Sequence, residues 1–186
     1  MAKKVLVVVD YQNDFVNGVL GFKKAEGLDD GIAEEIRIAH KQGYDIICTM
    51  DTHDSKDYMN TEEGKNLPVM HCPEGEHGWK LYGKTEKAAK DTGALLLTKP
   101  TFPCQELFLV LKGMDKIDKC AGGEGITEVK LCGVVTNMCV ISNVVVSKMA
   151  VPNAHIVVIE HLCASFDDDA HNKAIDVMKS MQVEVI

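Results

Sequence analysis

Cys139 closes the stretch Gly133-Val134-Val135-Thr136-Asn137-Met138-Cys139, which overlaps an apolar run over 129–135 and precedes a helical pattern over 140–150. The run reads as a buried strand, so the cysteine falls on a strand-to-helix turn. Backbone N–H groups at a helix N-terminus are unpaired and carry partial positive charge, and both features favour a thiolate over a thiol. A cysteine held there can act as a nucleophile near neutrality. Two N–H groups of the same turn can face a developing oxyanion. Taken alone, a cysteine is most simply a small buried residue, so the chemistry depends on what the chain brings near it.

Three other reactive groups end apolar runs in the same way. Asp10 follows the run over 3–9, Asp51-Thr52-His53 follows the run over 45–50, and Lys99 follows the run over 94–98. An aspartate can carry protons, a lysine is a compact cation, and an Asp/His pair offers oxygen and imidazole donors to a metal. A long polar segment at about 52–83 holds Glu62, Glu63, His71, Cys72, His77 and the only tryptophan, Trp79. Irregular loops of this length inside a domain are usually functional. From its place there, Trp79 is expected to wall a flat substrate.

The elements that must position these groups follow from the hydrophobic pattern. Strand patterns at 3–9, 45–50, 94–98, 129–135, 155–159 and 183–186 alternate with helical patterns at 30–41, 84–91, 105–114, 140–150 and 167–181. A turn plus short helix is expected over 116–127. Alternation of this kind predicts a three-layer α/β/α domain over 1–186, with helices on both faces of a mostly parallel, six-stranded, Rossmann-like sheet. In such sheets ligands lie beyond the carboxyl ends of the strands, where strand order reverses. Asp10, Asp51, His53, Lys99 and Cys139 would then gather at one rim.

Composition narrows the classes. A net charge of -8 over 186 residues argues against a nucleic-acid footprint. The apolar runs are strand-length, short of the ~20 residues a membrane span needs. The basic start at Lys3-Lys4 leads into a run that stops at Asp10, which is not a secretory pattern. Seven cysteines without a C-x-x-C pair read as free thiols, and a cytoplasmic location is expected. No strand is followed by a phosphate-binding glycine motif, which weighs against a non-catalytic nucleotide- or flavin-binding α/β protein.

Five blocks taken in order carry a resemblance. They are Val-Val-Asp-Tyr-Gln-Asn-Asp-Phe at 8–15, Asp-Thr-His at 51–53, His-Cys at 71–72, Lys-Pro-Thr-Phe at 99–102 and Gly-Val-Val-Thr-Asn-Met-Cys-Val at 133–140. Over nearly its whole length the chain resembles the nicotinamidase and isochorismatase-like cysteine hydrolases, and in motif pattern it is most similar to bacterial nicotinamidases. The resemblance implies a catalytic triad of Asp10, Lys99 and Cys139, with Cys139 forming a thioester and Asp10 moving protons. It implies a cis peptide between Val134 and Val135, and an oxyanion hole from the N–H groups of Val135 and Cys139. It implies a divalent metal, zinc first and iron or manganese as alternatives, held by Asp51, His53 and His71. Many members add a histidine where this chain has Met59, so Glu62 is expected as the fourth ligand, with Glu63 as its near rival. Phe15 matches an aromatic position beside the substrate. The implied reaction is hydrolysis of a small amide, nicotinamide to nicotinate and ammonia, in a homo-oligomer. The alternative is a metal-independent hydrolase of an N-carbamoyl or ureido compound. Isochorismate hydrolysis needs no cysteine nucleophile, so Cys139 speaks against it.

Overall fold

Strand β1, Lys3–Val9, is a β-branched run whose last five residues are buried on both faces, as a central parallel strand requires. The computed structural model describes residues 2–186. Two short helices, α1 (Asn13–Val16) and α2 (Lys23–Glu26), lead into α3 (Asp29–Lys41), which buries Ile32, Ala33, Ile36 and Ala39 along one stripe. Strand β2 is Asp45–Asp51. The segment that follows contains a 3₁₀ turn at Tyr58–Asn60 and helix α4, Glu62–Asn66, capped by Thr61 through Gly64 N–H at 2.9 Å. Then come α5 (Gly83–Thr92), β3 (Leu95–Lys99), α6 (Gln105–Cys120), β4 (Ile126–Val134), α7 (Ile141–Ala150), β5 (His155–Ala164), α8 (Asp168–Ser180) and β6 (Glu184–Val185).

All strand pairs are parallel, in the order β3-β2-β1-β4-β5-β6. The order reverses between β1 and β4, so the residues after Val9 and after Val134 flank the switch point. There Val9 pairs with Gly133, which has φ +118°. A Cβ on Gly133 would lie 2.2 Å from the Val9 carbonyl oxygen, so only glycine lets the two strands close at this point.

Two expectations change. Helix α6 does not stop near 114 but runs on to Cys120, where a turn and a second short helix were expected. Lys119 pairs with Asp115 at 2.8 Å one turn back, which supports the added turns, and Gly122 at φ +86° follows the end. The pattern over 140–150 also begins differently: a π-helical turn, Thr136–Val140, carries Cys139, and α7 starts after it. Among the described residues, no helix is long and apolar enough to cross a membrane.

Candidate active site

Register places Asp51 beside Lys99 and Val9 beside Thr49, so the ends of three strands deliver their polar residues to one spot. Asp10 leaves β1 with φ +46°, a left-handed conformation that costs a non-glycine residue about 1–3 kcal/mol. Its carboxylate is fully buried. Asp10 Oδ1 accepts from Thr49 Oγ1 at 2.7 Å, and Oδ2 forms an ion pair with Lys99 Nζ at 2.7 Å. The same Nζ lies 3.6 Å from Cys139 Sγ, 3.1 Å from Asp51 Oδ1 and 2.9 Å from the Thr101 carbonyl. Asp10, Lys99 and Cys139 thus meet in one buried cluster with Lys99 at its centre. The peptide between Val134 and Val135 is cis, immediately before the turn that carries Cys139.

Electrostatics differ from the expectation for the thiol. Burial pushes Cys139 well above the ordinary cysteine range, and the Asp10 charge adds to the rise, with Lys99 opposing both. The direction is opposite to the lowering expected from a helix N-terminus, because burial disfavours the thiolate. Burial also raises Asp10, against the Lys99 charge. Burial alone would lower Lys99, but the nearby carboxylates, Asp10 foremost, hold it well above its usual value.

A second cluster shares Asp51 with the first. Asp51 Oδ2 lies 3.1 Å from both His53 Nε2 and His71 Nε2. Glu63 Oε1 is 3.7 and 3.5 Å from the same two nitrogens. One donor atom from each of these four residues lies within 4.8 Å of the others. Glu63, not the expected Glu62, brings its carboxylate to this cluster. Successive helical residues point about 100° apart, so only one of the pair can face inward from α4. Glu62 is 83% exposed and reaches Lys65, whereas Glu63 is 13% exposed.

The donor set fits a divalent cation. His71 Nδ1 is 2.8 Å from the Val69 carbonyl, which fixes the tautomer that leaves Nε2 as a lone-pair donor. That nitrogen and His53 Nε2 face the carboxylate oxygens of Asp51 and Glu63, an arrangement that calls for positive charge between them. Without it, burial lowers the His71 pKa, but bonds to Asp51 and Glu63 overcome this and raise it to about 10. Glu63 Oε2 is buried with no hydrogen-bond partner, an acceptor that a metal would engage. Two imidazoles and two carboxylates suit zinc, iron or manganese.

Phe15 packs edge-on against the His71 ring at 5.5 Å, beside the donor cluster. Trp79 does not take the expected place. Its indole N–H donates to Thr52 Oγ1 at 2.8 Å, and its ring lines a groove with Met50, Leu81, Ala89 and Leu96. Alternation along a strand sends Met50 and Leu96 to the face opposite Asp51 and Lys99, and Trp79 packs with them.

Three buried polar residues went unread in the sequence. Gln12 Nε2 donates to the carbonyls of Asp51 at 2.9 Å and Trp79 at 2.7 Å, and its Oε1 accepts from Asp51 N–H at 2.7 Å. Asn143 donates to the Cys139 and Phe102 carbonyls and accepts from Cys104 N–H, tying the turn that carries Cys139 to the loop after Lys99. Thr49 is the third. Thr49 and Asn143 interrupt apolar runs, and that is the signal by which they could have been found; Gln12 lies in a polar stretch and gives no such signal. Replacing Gln12 by Ala orphans three buried backbone groups at about 1 kcal/mol or more each. A Tm drop of about 6–12 °C is expected for a loss near 3 kcal/mol, measurable by calorimetry.

The parallel sheet thus carries a buried Asp–Lys–Cys cluster at its switch point. The isochorismatase domain family matches residues 4–186, and the chain belongs to that family of hydrolases. Its structure is similar to a nicotinamidase/pyrazinamidase from Bacillus subtilis, with TM-score 0.84 at 25% identity over 98% of both chains. It is also similar to a pyrazinamidase/nicotinamidase from Streptococcus mutans, with TM-score 0.84 at 23% identity over 99% of this chain and 100% of that one. An N-carbamoylsarcosine amidase from Thermoplasma acidophilum shares the fold, with TM-score 0.73 at 21% identity over 98% and 95% of the two chains. No curated protein sequence matches the chain at a significant level.

Proposed function

We propose that the chain is a cysteine amidohydrolase that cleaves a small amide, nicotinamide first, to the carboxylic acid and ammonia. The observation that carries this reading is Lys99 Nζ set between Asp10 Oδ2 at 2.7 Å and Cys139 Sγ at 3.6 Å. In this reading Cys139 passes its proton to Asp10 as sulfur attacks the amide carbon. A base with a raised pKa is suited to taking a proton from a thiol whose pKa is raised as well. The N–H groups of Val135 and Cys139 hold the oxyanion. Asp10 then gives the proton to departing ammonia, leaving a thioester, and takes another from the water that cleaves it. Lys99 keeps Asp10 oriented and limits the cost of negative charge on sulfur.

Asp51, His53, His71 and Glu63 would hold the divalent metal. When bound there, the ion supplies Lewis acidity and an anchoring point for a ring nitrogen of the substrate. Phe15 stands beside that point as a wall. The fully formed donor set favours the nicotinamide reading over metal-free cleavage of an N-carbamoyl compound.

The deciding experiment measures ammonia release from nicotinamide and from N-carbamoyl and ureido compounds, beside metal analysis of the same sample. Turnover of nicotinamide by metal-bearing protein is expected. Turnover confined to the carbamoyl compounds by metal-free protein would defeat the proposal. For the ligand set, Glu63→Gln should lower retained metal about tenfold or more after gel filtration, whereas Glu62→Gln should match wild type. Equal loss from both variants would remove Glu63 from the site.

A further inference from the structure

Strand β3 lies at one edge of the sheet, and its outer side is open. Leu95 and Leu96 are 46% and 47% exposed. Exposed edges are commonly blunted by charge or proline, yet Ala94-Leu95-Leu96-Leu97-Thr98 carries neither. We propose that this edge pairs antiparallel with β3 of a second copy of the chain, forming a dimer whose two-fold axis passes through Leu96.

The hydrogen-bonding groups fix that register. Thr52 N–H donates to the Lys99 carbonyl at 2.9 Å, so Lys99 faces β2. In a parallel ladder both polar groups of a residue point to the same neighbour, and successive residues alternate. Leu97 and Leu95 therefore also face β2, and the peptide groups of Ala94, Leu96 and Thr98 face outward. Two of these outward groups have other contacts. Ala94 N–H donates to Ala89 O at 2.9 Å, and the Cys104 thiol lies 3.9 Å from Thr98 O. What remains is both groups of Leu96, the Ala94 carbonyl and the Thr98 N–H. Antiparallel pairing centred on Leu96 uses that set: Leu96 exchanges two bonds with its symmetry mate, and each Thr98 N–H reaches the opposite Ala94 carbonyl.

Side chains agree with this register. The two Leu96 residues meet on the face that carries the groove of about 310 Å³ lined by Met50, Trp79, Leu81 and Ala89. On the other face, exposed Leu95 comes opposite buried Leu97 of the second copy. Charge points to the same surface. Each copy carries a net charge of -8, so close approach is least opposed where charge is absent or balanced. The stretch Ala94 to Thr98 is uncharged, and the adjoining helix α5 pairs charges on its own surface, Lys87 with Asp91 and Lys90 with Glu86, both at 2.7 Å. A strand edge related by a two-fold axis is self-complementary and closes at two copies.

Sedimentation velocity tests this directly. The wild-type chain is expected to run at twice its 20.4 kDa mass. Leu96→Lys, which sets two ammonium groups opposite each other, should run as a monomer with an unchanged circular dichroism spectrum. Leu109→Lys, at an exposed position on α6, should remain a dimer. If Leu96→Lys fails to fold, Leu96→Cys in a Cys120→Ser background decides the matter. Paired residues with Cα atoms about 5.5 Å apart are within disulfide reach, so mild oxidation should link most chains into a covalent dimer. A monomeric wild type, a dimer untouched by Leu96→Lys, or no cross-link between Leu96→Cys chains in that background would overturn the proposal.

Discussion

Cys139→Ala should lower amide hydrolysis by about 10⁴-fold or more while leaving the fold in place. Removing a nucleophile costs nearly the whole covalent route, because the remaining groups act as a unit and have nothing to activate. The fold should survive because the sulfur is a small neutral group in its resting state: burial and the Asp10 charge keep its proton on. Losing one buried sulfur costs about 1–2 kcal/mol of packing. Cys139→Ser should be almost as inactive, since a buried hydroxyl beside Asp10 holds its proton more tightly than a thiol does. The measurement is ammonia release together with mass spectrometry of acid-quenched enzyme. Wild type should show an acyl adduct on Cys139, and the alanine variant none. An alanine variant that keeps a tenth of the wild-type rate would end the nucleophile assignment.

The features of the site legible in the sequence were those that depend on strand ends. Val5–Val9 is an unbroken apolar run and Ile46–Met50 is one interrupted only by Thr49, and the residue at or just past the end of such a run is where the chain leaves the sheet. Asp10, Asp51, Lys99 and Cys139 could therefore be assigned to one rim before any contact was known. Side-chain direction within the irregular segment was not legible. Glu62 and Glu63 are adjacent and chemically identical, and the choice between them depends on where Thr61 caps α4, which sets the phase of that short helix. Trp79 was misread for a related reason: position in a loop does not say which face of the sheet the loop folds over. The thiol pKa was misjudged because helix-terminus charge can be inferred from a pattern, whereas the depth of burial that outweighs it cannot. The extent of α6 depended on the Asp115–Lys119 pair continuing a helix past Gly113, a local term that periodicity of apolar residues does not register.

Lys99→Met should cost both stability and activity, with opposite dependence on pH for the two. The methionine keeps most of the stem but removes the cation that faces Asp10, Asp51 and Cys139. Two buried carboxylates then lose their shared partner, and breaking a buried pair in this way costs about 3–5 kcal/mol. Asp10 already has a raised pKa from burial, and Lys99 is the main influence lowering it, so the variant raises it further. A group whose folded pKa is raised contributes stability at low pH and loses it as pH rises through that folded pKa. The variant should therefore be least stable relative to wild type at alkaline pH and recover as Asp10 takes up a proton. Activity runs the other way, because Asp10 must be ionised to accept the thiol proton. The acid limb of kcat/KM should move upward, on top of a loss of about 10²–10³ in rate. Alkylation of Cys139 by iodoacetamide, followed by peptide mapping across a pH series, should shift upward in parallel, since Lys99 also opposes the rise of the thiol. If the acid limb and the alkylation profile both stay where they are in wild type, Lys99 does not set the electrostatics of the pair, and Asp10 and Cys139 act as a dyad.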